Sequence, residues 1–344
     1  MSDNSTGAAP RSPRLRVLLN GTTEIAPHYA EIAHTASYAA ATFTIAIPLA
    51  GHPDLNAGFW LASNQPEIQI QVALNAWSPY LELISGRCDS MHLNPMSGVV
   101  RLQGRDRAAS LLDTKSSIVY QNRTSAEIAT DLATRHGLTP AVAPSSGYAG
   151  RYYANETQLS SLVQFSKLAS DWDILVSLAQ LEDFDLYVTG STLTFQPHTA
   201  ATQAPQSIDA RHLMDLQISR RLTLSGGVNT SVRSWDSANQ TFVSASGNSP
   251  GSSTDAPRYS VIKPNLSPQM AKTLASQMAS DIYRNSMHVA MTMPGSTDLS
   301  IRTPLRLTGL AIPLTQIFEI EIIKRSFRSK SGFVQNIFAV QSAA

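Results

Sequence analysis

Ile68, Ile70, Val72 and Leu74 alternate with Gln69, Gln71 and Ala73. Successive side chains of an extended chain point to opposite sides, so this period of two predicts a strand with one oily face and one face fit for water or a polar partner. The same period governs most of residues 15–104. Residues 15–19 run into Asn20-Gly21, a pair that tolerates positive φ and favours a tight hairpin turn. Phe43, Ile45 and Ile47 share one face, Thr42, Thr44 and Ala46 take the other, and Pro48 ends the strand because it has no N–H for a ladder. Residues 81–87 and 99–103 supply two more strands, after which Gly104-Arg105-Asp106 turns into a short helical stretch over 107–112. Several strands and few helices predict a barrel or a sandwich, which strand periodicity does not separate.

Helical spacing takes over between residues 116 and 197. Thr124 and Glu127 form a capping box, Ile128, Ala129 and Leu132 make the apolar stripe, and Gly137 is placed to stop the helix. A longer helical region starts near Thr157, carries Leu159, Leu162, Val163, Leu168, Ala169 and Trp172 at spacings of three and four, and breaks near Asp171. Residues 186–188 and 193–195 flank Gly190 as a short hairpin. Strand character returns after Leu213, with residues 228–235 and 241–244 around a turn at 236–240. Residues 244–257 are dominated by Ser, Gly and Pro and predict a mobile surface loop. Ser267-Pro268 opens a helix over 267–285 with Met270, Leu274, Met278 and Ile282 as its apolar stripe. Phe318, Ile320 and Ile322 alternate with Glu319 and Glu321, the doubled Ile322-Ile323 predicts a bulge, and Phe327, Gly332-Phe333 and residues 337–340 complete a terminal hairpin.

The predicted class is therefore mainly β with an α/β insertion. It divides into a flexible tail (1–13), a first β domain (14–115), an α/β module (116–197) and a second β domain (198–344). At 42% apolar and 15% charged residues the chain has the composition of a folded protein. Its formal net charge of +1 removes the main electrostatic reason to invoke nucleic acid or an anionic membrane as a tightly held partner, and leaves little repulsion against self-association. Cys88 is the only cysteine, which excludes an intramolecular disulfide and fits folding in a reducing cytoplasm. The polar start is neither a signal peptide nor a membrane anchor, and no apolar run approaches the ~18 residues of a spanning helix.

A search for catalytic residues ends in bland readings. Gly247-Asn248-Ser249-Pro250-Gly251 has the letters of a nucleophile elbow but lacks the strand before and the helix after that strain the serine. His28 and His34 lie near Glu31 without metalloprotease spacing, and His136 sits at a helix C-terminus, where the dipole favours a cation. Asp171, Asp173, Glu182, Asp183 and Asp185 form the one acidic concentration; two of them across a cleft would suit a glycosidase, but caps and a solvated helix face account for the pattern. Gly226-Gly227 reads as a turn. Lys324, Arg325, Arg328 and Lys330 read as the charged surface of a hairpin. No catalytic residue, metal ligand or cofactor site is assigned. Trp235, Phe242 and Phe318 are candidate interface anchors, against the commoner fate of such residues in a β core.

The order of modules and several local strings resemble the tail hub family of contractile phages, the late control gene D proteins, and the N-terminal part of VgrG spikes. The likeness runs through 100–106 (Val-Arg-Leu-Gln-Gly-Arg-Asp), Leu111-Leu112, 124–129 (Thr-Ser-Ala-Glu-Ile-Ala), 162–169, 187–195, 232–236 (Val-Arg-Ser-Trp-Asp), and the closing hairpin from Phe318 to Phe327 with Gly332-Phe333. The resemblance implies two tail-tube-like β-barrels per chain with a mixed insertion between them. It also implies a homotrimer that joins a sixfold tail tube to a threefold central spike around a channel for DNA. The partners it implies are the spike, a tube or tube-initiator protein, baseplate wedge proteins and a tape measure protein, in the tail baseplate of a virion assembled in the host cytoplasm. The family shares no catalytic residues. VgrG chains continue into a spike, whereas this sequence ends just after the hub hairpin, which implies a spike on a separate polypeptide.

Overall fold

The structure, a computed structural model, describes residues 12–36, 38–116, 118, 120, 123–145, 148–149, 169–198, 204–236, 240–264, 266–311, 314–328 and 332–342. The expected tail through Arg11 and the helical stretch 157–168 lie outside them. The first part of the chain folds as β1 (Arg14–Leu19), β2 (Thr23–Ile25), β3 (Tyr29–Thr35), β4 (Thr42–Pro48), α1 (Ala57–Ala62), β5 (Glu67–Ala73), β6 (Leu81–Asn94), β7 (Val99–Asp106) and α2 (Ala109–Asp113). The middle supplies β8 (Arg123–Thr124), α3 (Ser125–Arg135), β9 (Thr139–Val142), β10 (Tyr148–Ala149), α4 (Asp171–Glu182), β11 (Phe184–Thr189) and β12 (Thr192–Pro197). The last part supplies β13 (Gln206–Asp209), β14 (Asp215–Arg220), β15 (Asn229–Asp236), β16 (Thr241–Asn248), β17 (Arg258–Ile262), α5 (Pro268–Arg284), β18 (Met287–Pro294), β19 (Pro304–Thr308), β20 (Ile317–Arg328) and β21 (Gly332–Gln341).

One large sheet collects both β regions in the order β14-β18-β21-β20-β3-β4-β7-β6-β5-β1-β2, with β19 on β20 and β13 on β19. The order contains an internal repeat. In the first half the chain visits β3, β4, β6, β7 and the sheet reads β3-β4-β7-β6; in the second it visits β14, β18, β20, β21 and the sheet reads β14-β18-β21-β20. β5 pairs with the front of β6 as β19 pairs with the front of β20, and both long strands are bulged just past that pairing, at Asp89 and at Glu321. The mainly β class with an α/β insertion thus holds, and the two β units share a topology. They are not separate closed barrels: β20 pairs with β3, so the two units run on as one open sheet, and no pairing among the described residues closes it.

Local chemistry explains most boundaries. Asn20 (φ 50°) and Gly21 (φ 74°) make the turn between β1 and β2. Thr124 and Glu127 complete the capping box of α3, and Gly137 (φ 69°) follows its end. Ser170 caps α4, which starts at Asp171. The buried alternation of Phe43, Ile45, Ile47, Ile68, Ile70 and Val72 builds the first core around Trp60. A second core fills the C-terminal half around Val289, Met291, Ile320, Ile323 and Phe318, and a third fills the insertion around Trp172 and Phe195.

Four expectations need correction. β6 continues to Asn94 instead of ending at Arg87, because β7, paired with it from Gly86 on, goes on pairing past the bulge at Asp89 after β5 has ended. The second bulge falls at Glu321, one residue before the predicted doublet, which leaves Ile323 buried and Ile322 exposed. Residues 244–248, expected in a mobile loop, belong to β16, and Ser249 and Ala256 beyond it are buried. Finally, α5 buries Ala271, Ala275 and Ala279 fully, while Met270, Leu274, Met278 and Ile282 only flank the contact.

The last two corrections share a cause. Helix α5 lies so close to β16 that a Cβ built on Gly247 would stand 2.3 Å from the carbonyl oxygen of Ala275, and only alanines fit the facing stripe. Thr230 Oγ1 donates to that same carbonyl at 2.6 Å, which fixes the height of the helix over the sheet. Gly247→Ala is expected to destabilise the chain by about 1–3 kcal/mol, as overpacking a tight core does. Urea unfolding checks this; an unchanged midpoint with an unchanged slope would show that the helix moves away freely.

Candidate assembly surfaces

The eight strands from β14 to β6 have one apolar and one polar face. Along the apolar face, Leu216 stands opposite Met291, Met291 opposite Ile337, and Ile337 opposite Ile323; across the junction Ile32 meets Phe43, Ile45 meets Leu102 and Leu102 meets Met91. The polar face carries Gln217, Ser219, Thr292, Asn336, Lys324, Glu31, Thr44, Gln103, Ser90 and His92 at the alternating positions. Its groups are largely satisfied by one another. Lys324 Nζ pairs with Glu31 at 2.8 Å, Tyr29 Oη donates to Glu31 at 2.7 Å, Thr292 Oγ1 donates to Asn336 at 2.8 Å, and Arg328 lies over the Tyr29 ring at 5.3 Å. Arg105 is held by Asp89 (2.6 Å) and Asp113 (2.9 Å). Such a surface is hydrophilic, and beside these paired charges it carries the exposed Arg87 and Arg101, opposite Arg105 and His92.

This disposes of the basic cluster predicted near the C-terminus. Lys324 is paired, and Lys330 lies outside the described residues. Arg325 is buried and donates to the carbonyls of Ser296 (3.2 Å) and Leu299 (2.5 Å); burial pulls its pKa down to about 10. His34 lies on the same apolar face, and burial pulls its pKa down to about 4, so it stays neutral at physiological pH.

Where the insertion meets the second β unit, charges gather in the interior. His198 donates from Nδ1 to Asp185 (3.0 Å) and approaches Glu319 with Nε2 (3.1 Å). Arg302 reaches Asp185 (2.9 Å) and Glu319 (3.1 Å), and Arg284 reaches Glu319 (3.1 Å) and Glu321 (3.6 Å). Three carboxylates thus meet three cations contributed by β11, the residue after β12, the C-terminal end of α5, the loop before β19, and β20. Glu319 is 1% exposed, which burial alone would make prohibitive; the surrounding cations hold it ionised. Hydrogen bonds to Asp185 and Glu319 raise the His198 pKa to about 9. No sequence pattern announces this cluster, because partners such as His198 and Glu319 are 121 residues apart.

The acidic concentration dissolves into structural roles. Asp171 accepts from His136 Nε2 (2.8 Å) and Ser116, Asp173 completes the cap of α4, Glu182 accepts from Ser125 (2.7 Å), Asp183 ends α4 at φ 59°, and Asp185 belongs to the charged junction. Ser249 is buried and its hydroxyl accepts from the Val228 N–H at 2.8 Å, so the elbow motif is a loop brace. Among the described residues no group of three or more His, Cys, Asp or Glu side chains has metal-binding geometry. Of the three anchor candidates, Phe318 is fully buried in the second core and is no surface residue. Trp235 and Phe242 are 53% and 62% exposed and stand directly opposite each other on β15 and β16, on the face turned away from α5.

The fold is similar to that of solved tail proteins. The tail protein from Neisseria meningitidis MC58 superposes with a TM-score of 0.71 at 13% identity over 96% of both chains. The 43 kDa tail protein of prophage MuSo2 from Shewanella oneidensis gives 0.70 at 12% identity, over 96% of this chain and 99% of that one. A component of the E. coli type VI secretion system with structural similarity to the T4 tail proteins gp27 and gp5 gives 0.60 at 11% identity, over 94% and 76%. No protein-family model matches the sequence, and no curated protein sequence does.

The charged junction sets a pH dependence. A His whose folded pKa lies above its unfolded value stabilises the fold fully below the unfolded pKa and loses that contribution as pH rises through the folded one. For His198 the window runs from about 6.5 to about 9, and the contribution at its lower end is at most about 3 kcal/mol. The difference in melting temperature between the native chain and His198→Gln is therefore expected to shrink steadily between pH 6 and 9.5; a constant difference would show that His198 is not charged in the junction. Phe318→Ala is expected to cost about 3–5 kcal/mol in urea unfolding, the cost of a core cavity; a loss below 1 kcal/mol would return Phe318 to the surface.

Proposed function

We propose that the chain is the structural hub of a contractile phage baseplate, a homotrimer that joins a sixfold tail tube to a threefold central spike and leaves a channel for DNA. The observation that carries the reading is the internal repeat: two β units of one topology in each chain turn three copies into six near-equivalent units, which a sixfold tube can match on one side and a threefold spike on the other. The end-to-end likeness of fold to two tail proteins supports it. The polar sheet face lines the channel, since its paired charges let DNA slide past. Residues 14–115 and 198–344 form the two β units, and 116–197 form the insertion on the outside, within reach of baseplate wedge proteins. The spike, a tube or tube-initiator protein and a tape measure protein complete the set of partners, and the assembly resides in the virion tail after forming in the host cytoplasm. The work is mechanical, with no catalytic step.

A second reading, the hub of a related non-phage injection system, is favoured by the likeness to the E. coli type VI component. Adjacent genes encoding a capsid support the first reading, and adjacent genes encoding a toxin support the second. The mass of the purified chain in solution, alone and with the products of neighbouring genes, tests both. A trimer, or a monomer that becomes trimeric on meeting a spike, is expected. A stable monomer that ignores those partners overturns the hub reading in either system.

A further inference from the structure

Two buried polar side chains stand opposite each other in the C-terminal half. Arg325 of β20 is 6% exposed and pairs in register with Gln335 of β21, which is 0% exposed. Both lie on the apolar face, in the row between Ile323–Ile337 and Phe327–Phe333. Directly opposed residues of an antiparallel pair bring their Cβ atoms within about 5.5 Å of each other. The loop after β18 closes over them. Gly295 N–H donates to the Phe333 carbonyl at 2.8 Å, a Cβ built on Gly295 would stand 2.1 Å from the Phe333 ring, and Ser296 and Leu299 are buried.

The loop accounts for only part of what these side chains offer. A guanidinium carries five N–H donors, and the carbonyls of Ser296 and Leu299 take one each. Among the described residues no carboxylate pairs with it: Glu31 is held by Lys324 on the opposite face, and Asp298 is exposed and accepts from the Ser296 hydroxyl at 2.9 Å. Both amide atoms of Gln335, Nε2 and Oε1, are buried without a hydrogen-bond partner among the described residues. So is Nδ1 of His34, which stands opposite Ile323 and whose ring the Arg325 charge helps to keep neutral. Buried polar groups are satisfied in nearly all native structures, and a buried charge without compensation costs far more than a buried dipole. A water molecule here would bond the amide and leave the charge as it is, whereas an anion answers both.

We propose that Arg325 and Gln335 hold a small monovalent inorganic anion, chloride in ordinary solution, inside the second β unit. The anion accepts from Gln335 Nε2 and from guanidinium N–H groups that the loop carbonyls leave over, and Gln335 Oε1 accepts from another of these. With Arg325 only 6% exposed, the site suits a bare halide and not the phosphate of a polyanion. The ion joins side chains of neighbouring strands beneath the loop that Arg325 already ties down, so it clamps β20, β21 and the loop after β18 into one unit. The proposal does not rest on the hub reading and outlives its failure.

Thermal unfolding of the full chain in chloride, with ionic strength held constant by gluconate, tests the site. A ligand bound by the folded state alone stabilises it with the logarithm of its concentration. The melting temperature of the native chain is therefore expected to rise by about 2 °C per tenfold increase in chloride once the site fills. Gln335→Leu, which replaces the amide by an apolar side chain of similar size, is expected to show no such rise. Crystals of the native chain soaked in bromide are expected to show an anomalous peak between Arg325 and Gln335, a readout that does not depend on the variant folding. A native chain indifferent to chloride overturns the proposal, as does a Gln335→Leu chain that responds as the native one does. Bromide density absent from that position overturns it as well.

Discussion

The pairing of β20 with β3 is the constraint on which the rest of the structure depends. It welds two β units, far apart in sequence, into one sheet whose apolar face stays continuous from Leu216 to Met91. It also brings together the polar residues hardest to bury. His34 is neutral beside it, and Arg325, opposite Ile32, is satisfied only by the carbonyls of Ser296 and Leu299. A buried guanidinium of that kind tolerates no displacement of the loop that feeds it, so the joint and the loop after β18 are one mechanical piece. Just before the joint on β20 lies Glu319, where the insertion is tied down through His198, Arg302 and Asp185.

Rigidity at these two places suits a protein that transmits force. The hub function proposed above needs surfaces that hold their relative positions under load. Backbone pairing between the units and a balanced set of interior charges supply that, since both lose much of their free energy on small displacements. The exposed pair Trp235 and Phe242 lies on a smaller sheet stiffened by α5.

Much of this was legible in the amino-acid order, and the failures have physical causes. Alternation exposed β4 and β5 because one face of each is fully buried, and Asn20-Gly21 and the Thr124–Glu127 capping box exposed a turn and a helix start because their geometry demands those residue types. The far half of β6 was hidden because an edge strand wet on one side carries Asp89, Ser90, His92 and Asn94 with only Met91 and Leu93 between them. The second half of β16, residues 245–248, was hidden because its inward position must be Gly247, which reads as loop. The charged junction was invisible because it is assembled from five separate segments. The internal repeat was invisible too: its equivalent positions, such as Asp89 and Glu321 or Met91 and Ile323, share chemical character and not identity.

Electron cryo-microscopy of the purified assembly tests the central claim most directly. The account predicts a closed threefold ring in which Gln103, Thr44 and Asn336 face the lumen. An open filament, or a ring with those residues turned outward and the apolar face inward, would contradict it.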